Sequence, residues 1–226
     1  MAKGESSDMN SSTLPLLSGM IKGTETATVI EIFILLTLLS LGPLILITLT
    51  SFTRIVVVLS FLRHALGTQQ SPSNQIIIAL ALFLSLYVMA PVWQQIEAGA
   101  VLPYLRGEIS PQEALPQAWK PLEEFLLRQT RKADLALFME MRGDKEIVAT
   151  ALIPAFIISE LKTAFQMAFL IYVPFLVLDL VVASVLLSMG MMFLPPVLVS
   201  LPFKLVLFVL VDGWNLLVGS LVRSFA

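Results

Sequence analysis

A chain of 226 residues that is 57% hydrophobic and only 13% charged, with a mean hydropathy of +0.89, is too apolar for a soluble domain, where roughly 45–50% apolar and about 25% charged residues are usual. No single core of this size hides so much apolar surface, so a bilayer or partner subunits must cover the rest. Fourteen basic against sixteen acidic side chains, net −2, give no electrostatic case for nucleic acid. The absence of cysteine excludes disulfides, thiolate metal sites and a Cys nucleophile, and the one histidine, His64, leaves zinc without its usual ligand cluster.

Residues 1–30 are polar and rich in Ser and Thr, with Lys3 the only base before Lys22 and no apolar run after it. They do not form a secretory signal as they stand. Either a signal has been removed, Met1-Ala2-Lys3 being an added start, or this member never carried one. The first is the expectation, with 1–30 read as a polar segment open to disorder.

Residues 31–92 read as a first hydrophobic hairpin. Ile32 to Thr53 is free of charge and long enough for one crossing of a core about 30 Å thick, with a kink expected at Gly42-Pro43. A short basic connection holding Arg54, Arg63 and His64 closes with Gly67 to Pro72, and Ser73 to Val92 reads as the second crossing. Residues 93–146 change character, with seven bases against nine acids, and form a water-facing, largely helical insert. Ser110-Pro111-Gln112-Glu113 has the form of a capping box with Pro at the first helical position. After Pro121, apolar residues recur at helical spacing and predict one amphipathic helix to about Arg142, stopped by Gly143.

Residues 147–226 read as a second hairpin. The stretch Ile147 to Val222 would span about 114 Å if wholly helical, too long for two plain crossings and interrupted in the wrong places for four, with breaks at Pro154, Pro174, Pro195-Pro196, Pro202 and Gly213. Two long bent helices joined by a tight turn at Met189 to Pro196 fit best. The expected class is therefore all-α: four long, kinked hydrophobic helices in two hairpins with a small helical insert. Two bases and no acid in the 54–72 loop place that loop in the cytoplasm, and hence the insert and both termini outside.

Charges inside this apolar half are expensive, about 3 kcal/mol each if they face lipid. They are Glu160, Lys162, Asp179, Lys204 and Asp212, and they must face partners or water. Glu160 and Lys162 point away from each other on one helix, so the expected pair is Glu160 with Lys204, between helices or between copies. Static ion pairs, pairs that specify subunit register and a proton or ion relay all remain open at this level.

The turn Met189-Gly190-Met191-Met192-Phe193-Leu194-Pro195-Pro196 is the most unusual local sequence. Gly190 lets backbones approach, the prolines stop the helix, and methionine re-packs readily. It reads as an ordinary interfacial turn or, if several copies meet there, as a deformable ring. Phe165, Phe169 and Tyr172 form a stripe more typical of packing than of a ligand site, His64 reads as exposed, and Trp93 and Trp214 as interface or packing aromatics. No P-loop, HExxH or GxSxG occurs, so neither an enzyme nor a cofactor is expected.

Several runs resemble the FliP family of flagellar export-gate proteins and its injectisome counterparts. They are Ser51-Phe-Thr-Arg-Ile-Val-Val-Val, Leu62-Arg-His-Ala-Leu-Gly-Thr and Ala79-Leu-Ala-Leu-Phe-Leu-Ser, then Ser159-Glu-Leu-Lys-Thr-Ala-Phe-Gln, Asp179-Leu-Val-Val-Ala-Ser-Val-Leu and the run from Leu201 to Trp214. Phe125 to Leu135 is closer to the flagellar branch. The resemblance implies a core channel subunit of the flagellar type III protein export gate, through which unfolded rod, hook and filament proteins pass. It further implies a helical ring of about five copies with FliQ, FliR, FlhB and FlhA, in the inner membrane at the flagellar basal body and largely on its periplasmic side. The family's methionine gasket falls on Met191, Met192 and Phe193, with Met189 before it, where Phe193 stands in place of a common third Met. Gly190, Pro195 and Pro196 shape its turn. Glu160, Lys204 and Arg54 fall on charged family positions, the role of Arg54 being underivable from sequence. A small-solute or proton transporter is the competing class, and a passive scaffold the third.

Overall fold

The computed structural model describes residues 32–33, 36–37, 39–68, 71–143 and 146–226, so the reading of residues 1–30 lies outside it. The regular secondary structure of the described residues is all helical, joined by turns and short extended segments, with no strand among them. The described residues up to Ile45 fall in one unit and those from Leu46 to Ala226 in another. The helices are α1 (Leu39–Leu49), α2 (Phe52–Ala65), α3 (Asn74–Ile96), α4 (Leu102–Leu105), α5 (Pro111–Gln129), α6 (Lys132–Arg142), α7 (Ala149–Ser188), α8 (Pro196–Leu210) and α9 (Gly213–Arg223).

In the first unit the described apolar side chains, among them Phe33, Leu36 and Leu39, are exposed. Helix α1 runs unbroken through Gly42 and Pro43, and the interruption comes instead at Thr50–Ser51. The reason is local hydroxyl chemistry, which offers the backbone an alternative to the helical ladder. Thr50 Oγ1 bonds the Leu46 carbonyl and accepts the Phe52 N–H at 3.3 Å. Thr53 Oγ1 donates to Ile47 O at 2.6 Å, and the fully buried Ser51 donates to Ser85 Oγ at 3.1 Å.

Helix α2 is the centre of the second unit. Its buried Ile55, Val58, Leu59, Leu62 and Ala65 recur at three- and four-residue steps, giving one apolar stripe that packs against α3 and α7. The opposing half of α7 buries Ala151, Leu152, Ala155, Phe156, Ser159 and Glu160, and its small residues let α2 approach closely. Phe125 and Leu126 of α5 complete the core, with the Phe125 and Phe156 rings 6.0 Å apart.

Helix α3 does not stop near Val92. It continues past Pro91, through a wide turn at Glu97–Val101, into α4 as one 32-residue rod. Its start is the Ser73 cap, whose side chain accepts from Ile76 N. The capping box forms at α5, where the Glu113 carboxylate accepts from both the backbone N–H and the hydroxyl of Ser110, each at 2.9 Å. The expected single amphipathic helix to Arg142 is instead two, because Thr130 and Arg131 are extended. Tertiary hydrogen bonds of Arg131 to α7 override the continuous helical pattern there. Gly143 then ends α6 in the left-handed conformation, at φ 71°, which glycine adopts without steric cost.

Helix α7 is 40 residues long, about 60 Å, and α8 with α9 folds back along it as two pieces bent by 65°. Helices α3–α4 and α7 are each apolar and long enough to cross a membrane, and the pairs α1–α2 and α8–α9 qualify if each counts as one broken span. Beyond its packed half, α7 leaves Phe169, Leu170, Leu176, Val177, Leu180 and Val181 exposed.

The packed and open faces should respond differently to truncation. Leu59→Ala, at a site 2% exposed, should lower unfolding free energy by about 2–5 kcal/mol, whereas Leu180→Ala in the isolated chain should stay within about 0.5 kcal/mol. Denaturant titration followed by helix content measures both.

Candidate functional site: buried charge clamps and the hairpin tip

Arg54 is the first charge after Glu31, set in an otherwise apolar run. It projects from the first turn of α2 and is 2% exposed. Its Nε donates to Glu160 Oε2 at 3.0 Å and its Nη2 to Glu160 Oε1, a two-pronged bond to a carboxylate that is itself fully buried. The remaining donors are also used. Nη1 donates to the Ser224 carbonyl at 2.8 Å and hydroxyl at 2.9 Å, and Nη2 to Gln129 Oε1 at 3.0 Å. Gln129 Nε2 in turn donates to Phe225 O at 3.1 Å, and the guanidinium carbon lies 3.8 Å from the Phe225 ring centroid. Planar geometry with five donors is what allows one side chain to hold so many acceptors. The cluster joins α2, α5, α7 and the segment after α9.

A second clamp fastens α6 to α7. Asp134, 2% exposed, pairs with Lys162 Nζ and accepts the Ser159 hydroxyl at 2.8 Å. Ser159 Oγ accepts the Arg131 backbone N–H at 3.0 Å, and Arg131 Nη2 donates to Thr163 Oγ1 at 3.1 Å and Gln166 Oε1 at 2.6 Å. The Lys162 hydrogen bond holds the Asp134 carboxyl below its ordinary range, with burial opposing and the Ser159 hydroxyl assisting. A third clamp joins α7 to α8: Lys204 Nζ donates to Asp179 Oδ2 at 2.7 Å, and Ser200 Oγ to Asp179 Oδ1. Lys204 is 1% exposed.

The expected Glu160–Lys204 pair is therefore not the one this chain makes. Glu160 faces α2 and takes Arg54, while Lys204 faces the distal part of α7 and takes Asp179. Two of the charges expected to be buried are not: the Lys162 side chain is 52% exposed, and Asp212 is exposed at the α8–α9 break, accepting from Asn215 Nδ2 at 3.2 Å. Sequence reasoning missed Gln129, Asp134, Ser159 and Ser224. The available signal was the isolated Arg54, since a charge in an apolar run requires a buried acceptor.

The hairpin tip closes as a Schellman motif. Gly190 lies at φ 77°, its N–H bonds Leu187 O at 3.1 Å, and Met191 N–H bonds Leu186 O at 2.9 Å. Pro195 and Pro196 then open α8. Beyond that closure Met189, Met192 and Leu194 are exposed and Phe193 is 98% exposed, with Met191 half-buried. The stripe residues Phe165, Phe169 and Tyr172 line a groove of about 720 Å³ with Val56, Phe61 and His64.

The family model for FliP matches residues 35–221, a stretch that takes in the principal charge pairs and the whole tip. The chain belongs to the FliP family. It is 54% identical over 202 residues to the flagellar biosynthetic protein FliP of Bacillus subtilis (strain 168), covering 87% of this chain and 91% of that one. Identity to the FliP proteins of Pectobacterium carotovorum subsp. carotovorum and Aquifex aeolicus (strain VF5) is 49% over 219 residues and 52% over 204, covering 94% and 87% of this chain and 84% and 85% of theirs. This FliP-family chain is a component of flagellar biosynthesis with apolar helices of membrane-spanning length.

Two outcomes follow from the clamps. Because the Asp134 carboxyl lies below its unfolded value of 3.8, its contribution is present above that value and lost as pH falls through the folded one. The stability gap between wild type and Asp134→Asn should therefore hold from about pH 7 to 5 and close below about pH 4, read by unfolding in detergent. Lys204→Glu should destabilise the chain and be partly rescued by Asp179→Lys but not by Glu160→Lys, read in the same assay.

Proposed function

We propose that the chain is a channel subunit of the flagellar type III protein export gate, with the turn from Met189 to Phe193 as its pore constriction. The observation that carries the reading is the tip itself. A turn closed by its own backbone hydrogen bonds presents Met189, Met192, Phe193 and Leu194 outward, in a chain of the FliP family. Apolar side chains presented together beyond a rigid closure are a surface for contact, and unbranched methionine supplies one that re-packs. Several copies, about five if the ring closes as in the family, would bring their tips together around one axis.

The other parts of the reading follow from the same membership. FliQ, FliR, FlhB and FlhA are the expected partners and unfolded flagellar proteins the expected cargo. The assembly sits at the inner membrane in the flagellar basal body, mostly on the periplasmic side, and performs no catalysis and binds neither cofactor nor nucleic acid. The long exposed face of α7 supports burial against neighbouring subunits or lipid. A solute or proton carrier would need ionisable groups free to exchange partners, whereas Glu160, Lys162, Asp179 and Lys204 each hold one within the chain.

Replacing Met191 and Met192 together by Ala should make the assembled, resting complex leak small ions, measured as conductance across a planar bilayer. Conductance equal to wild type in a correctly assembled variant would contradict the constriction.

A further inference from the structure

Helix α7 and the α8–α9 arm each have a weak point midway along the hairpin, and the two face each other; the other prolines inside these helices are Pro154, near the start of α7, and Pro202, which lies between the clamped Ser200 and Lys204. In α7, Pro174 has no N–H to donate to the carbonyl four residues back. In the other arm α8 ends at Leu210, and Asp212 stands at φ 52°, ψ 52°, a left-handed conformation that interrupts the helical ladder and that Asp adopts more readily than most residues with a Cβ. Ile171, Pro174 and Phe175 from α7 line one pocket of about 200 Å³ with Phe208, Val211 and Gly213.

The pocket gives an aromatic ring room on one side and none on the other. Phe208 lies edge-on to Trp214 with centroids 5.5 Å apart, and 6.5 Å from the Phe175 ring. It occupies the place a side chain at Gly213 would take, since a Cβ there would fall 2.2 Å from the ring. Gly213 is thus required for Phe208 to sit over the break.

The clamps divide the hairpin at this level. On the base side α7 is held by Arg54 and by Asp134. On the tip side Asp179 holds Lys204 and Ser200, which fastens the two arms to each other. Contact of the distal arm with the turn after α2 includes Val197 and Lys204 beside Gly67, where a Cβ would lie 3.4 Å from the Val197 side chain and 3.8 Å from Lys204 Nζ. Such contact yields more readily than a buried ion pair.

We infer that Pro174 and the Val211–Gly213 break form a paired hinge, about which residues 175–210 swing as one arm against the clamped base. Taken with the export-gate reading, on which its consequence rests, this motion carries the methionine tip into and out of the closed position.

The chain has no cysteine, so spin labels can be placed cleanly at exposed sites. Val185→Cys with Leu170→Cys spans Pro174, and Leu198→Cys with Leu216→Cys spans the break, all four positions being exposed. In the full-length chain within its assembled complex, with labelled subunits diluted by unlabelled ones so that each ring carries one labelled copy, pulsed EPR should give a broad or two-component distance distribution for each pair. Pro174→Ala should narrow both distributions at least twofold, including the pair on the arm that does not carry the substitution. Gly213→Ala should displace Phe208 and shift the Leu198–Leu216 distance. A single narrow distribution for each pair in the unsubstituted chain, or no narrowing on Pro174→Ala, would overturn the hinge. The pore reading fails separately: mobile arms with no leak from the Met191 and Met192 variant would keep the hinge and remove the gate, whereas a leak with rigid arms would do the reverse.

Discussion

A guanidinium buried among apolar helices must be neutralised and must have its N–H groups bonded, and that requirement at Arg54 organises the second unit. One side chain near the start of α2 gathers a carboxylate from α7, an amide from α5 and a carbonyl and hydroxyl from the segment after α9. These groups lie 75 to 170 residues away in sequence, so the cluster fixes how distant parts of the chain meet. Apolar packing alone is less selective, because greasy helices slide past one another at small cost while a forked ion pair has one register. The net worth of a buried pair relative to apolar substitutes is small, but the loss of one partner is costly. It therefore acts more through specificity than through summed stability.

The same logic separates a fixed base from an open end. Around Arg54 and Asp134, helices α2, α5, α6 and the first part of α7 form a packed body whose polar groups are satisfied. Among the described residues no buried side-chain nitrogen or oxygen lacks a hydrogen-bond partner. Farther along α7 the side chains remain apolar but little in the chain covers them, and the tip exposes most of Met192 and almost all of Phe193. An interior finished in this way, joined to an exterior left greasy, is what a subunit made to be covered by lipid or protein requires. Because Glu160 and Lys204 each find a partner within the chain, in Arg54 and Asp179, the need for a cover rests on apolar area and no longer on unpaired charge.

Much of this was legible in the residues, and the misreadings have physical causes. The all-helical class follows from long uncharged runs broken by Pro and Gly, and the caps at Ser110 and Gly143 sit where local chemistry puts them. The family could be read from ordered motifs such as the run from Leu201 to Trp214. Long-range choices were not legible. Periodicity carried one helix through Thr130, because it cannot register that Arg131 N–H finds Ser159 on another helix. Gly42-Pro43 looked like the weak point of the first crossing, yet the hydroxyls of Thr50 and Ser51 supplied the alternative bonds that interrupt it. Glu160 and Lys204 were matched by sign alone, and sign does not tell which face of a helix meets which neighbour.

The most direct test of the central claim is a double-mutant cycle on Arg54→Ala and Glu160→Ala, with unfolding free energy measured for the four proteins under one detergent condition. If the pair organises the base, the coupling energy should be about 2–3 kcal/mol, with the double variant more stable than the sum of the single losses implies. A coupling below about 0.5 kcal/mol, the range of independent sites, would contradict it and return the base to apolar packing alone.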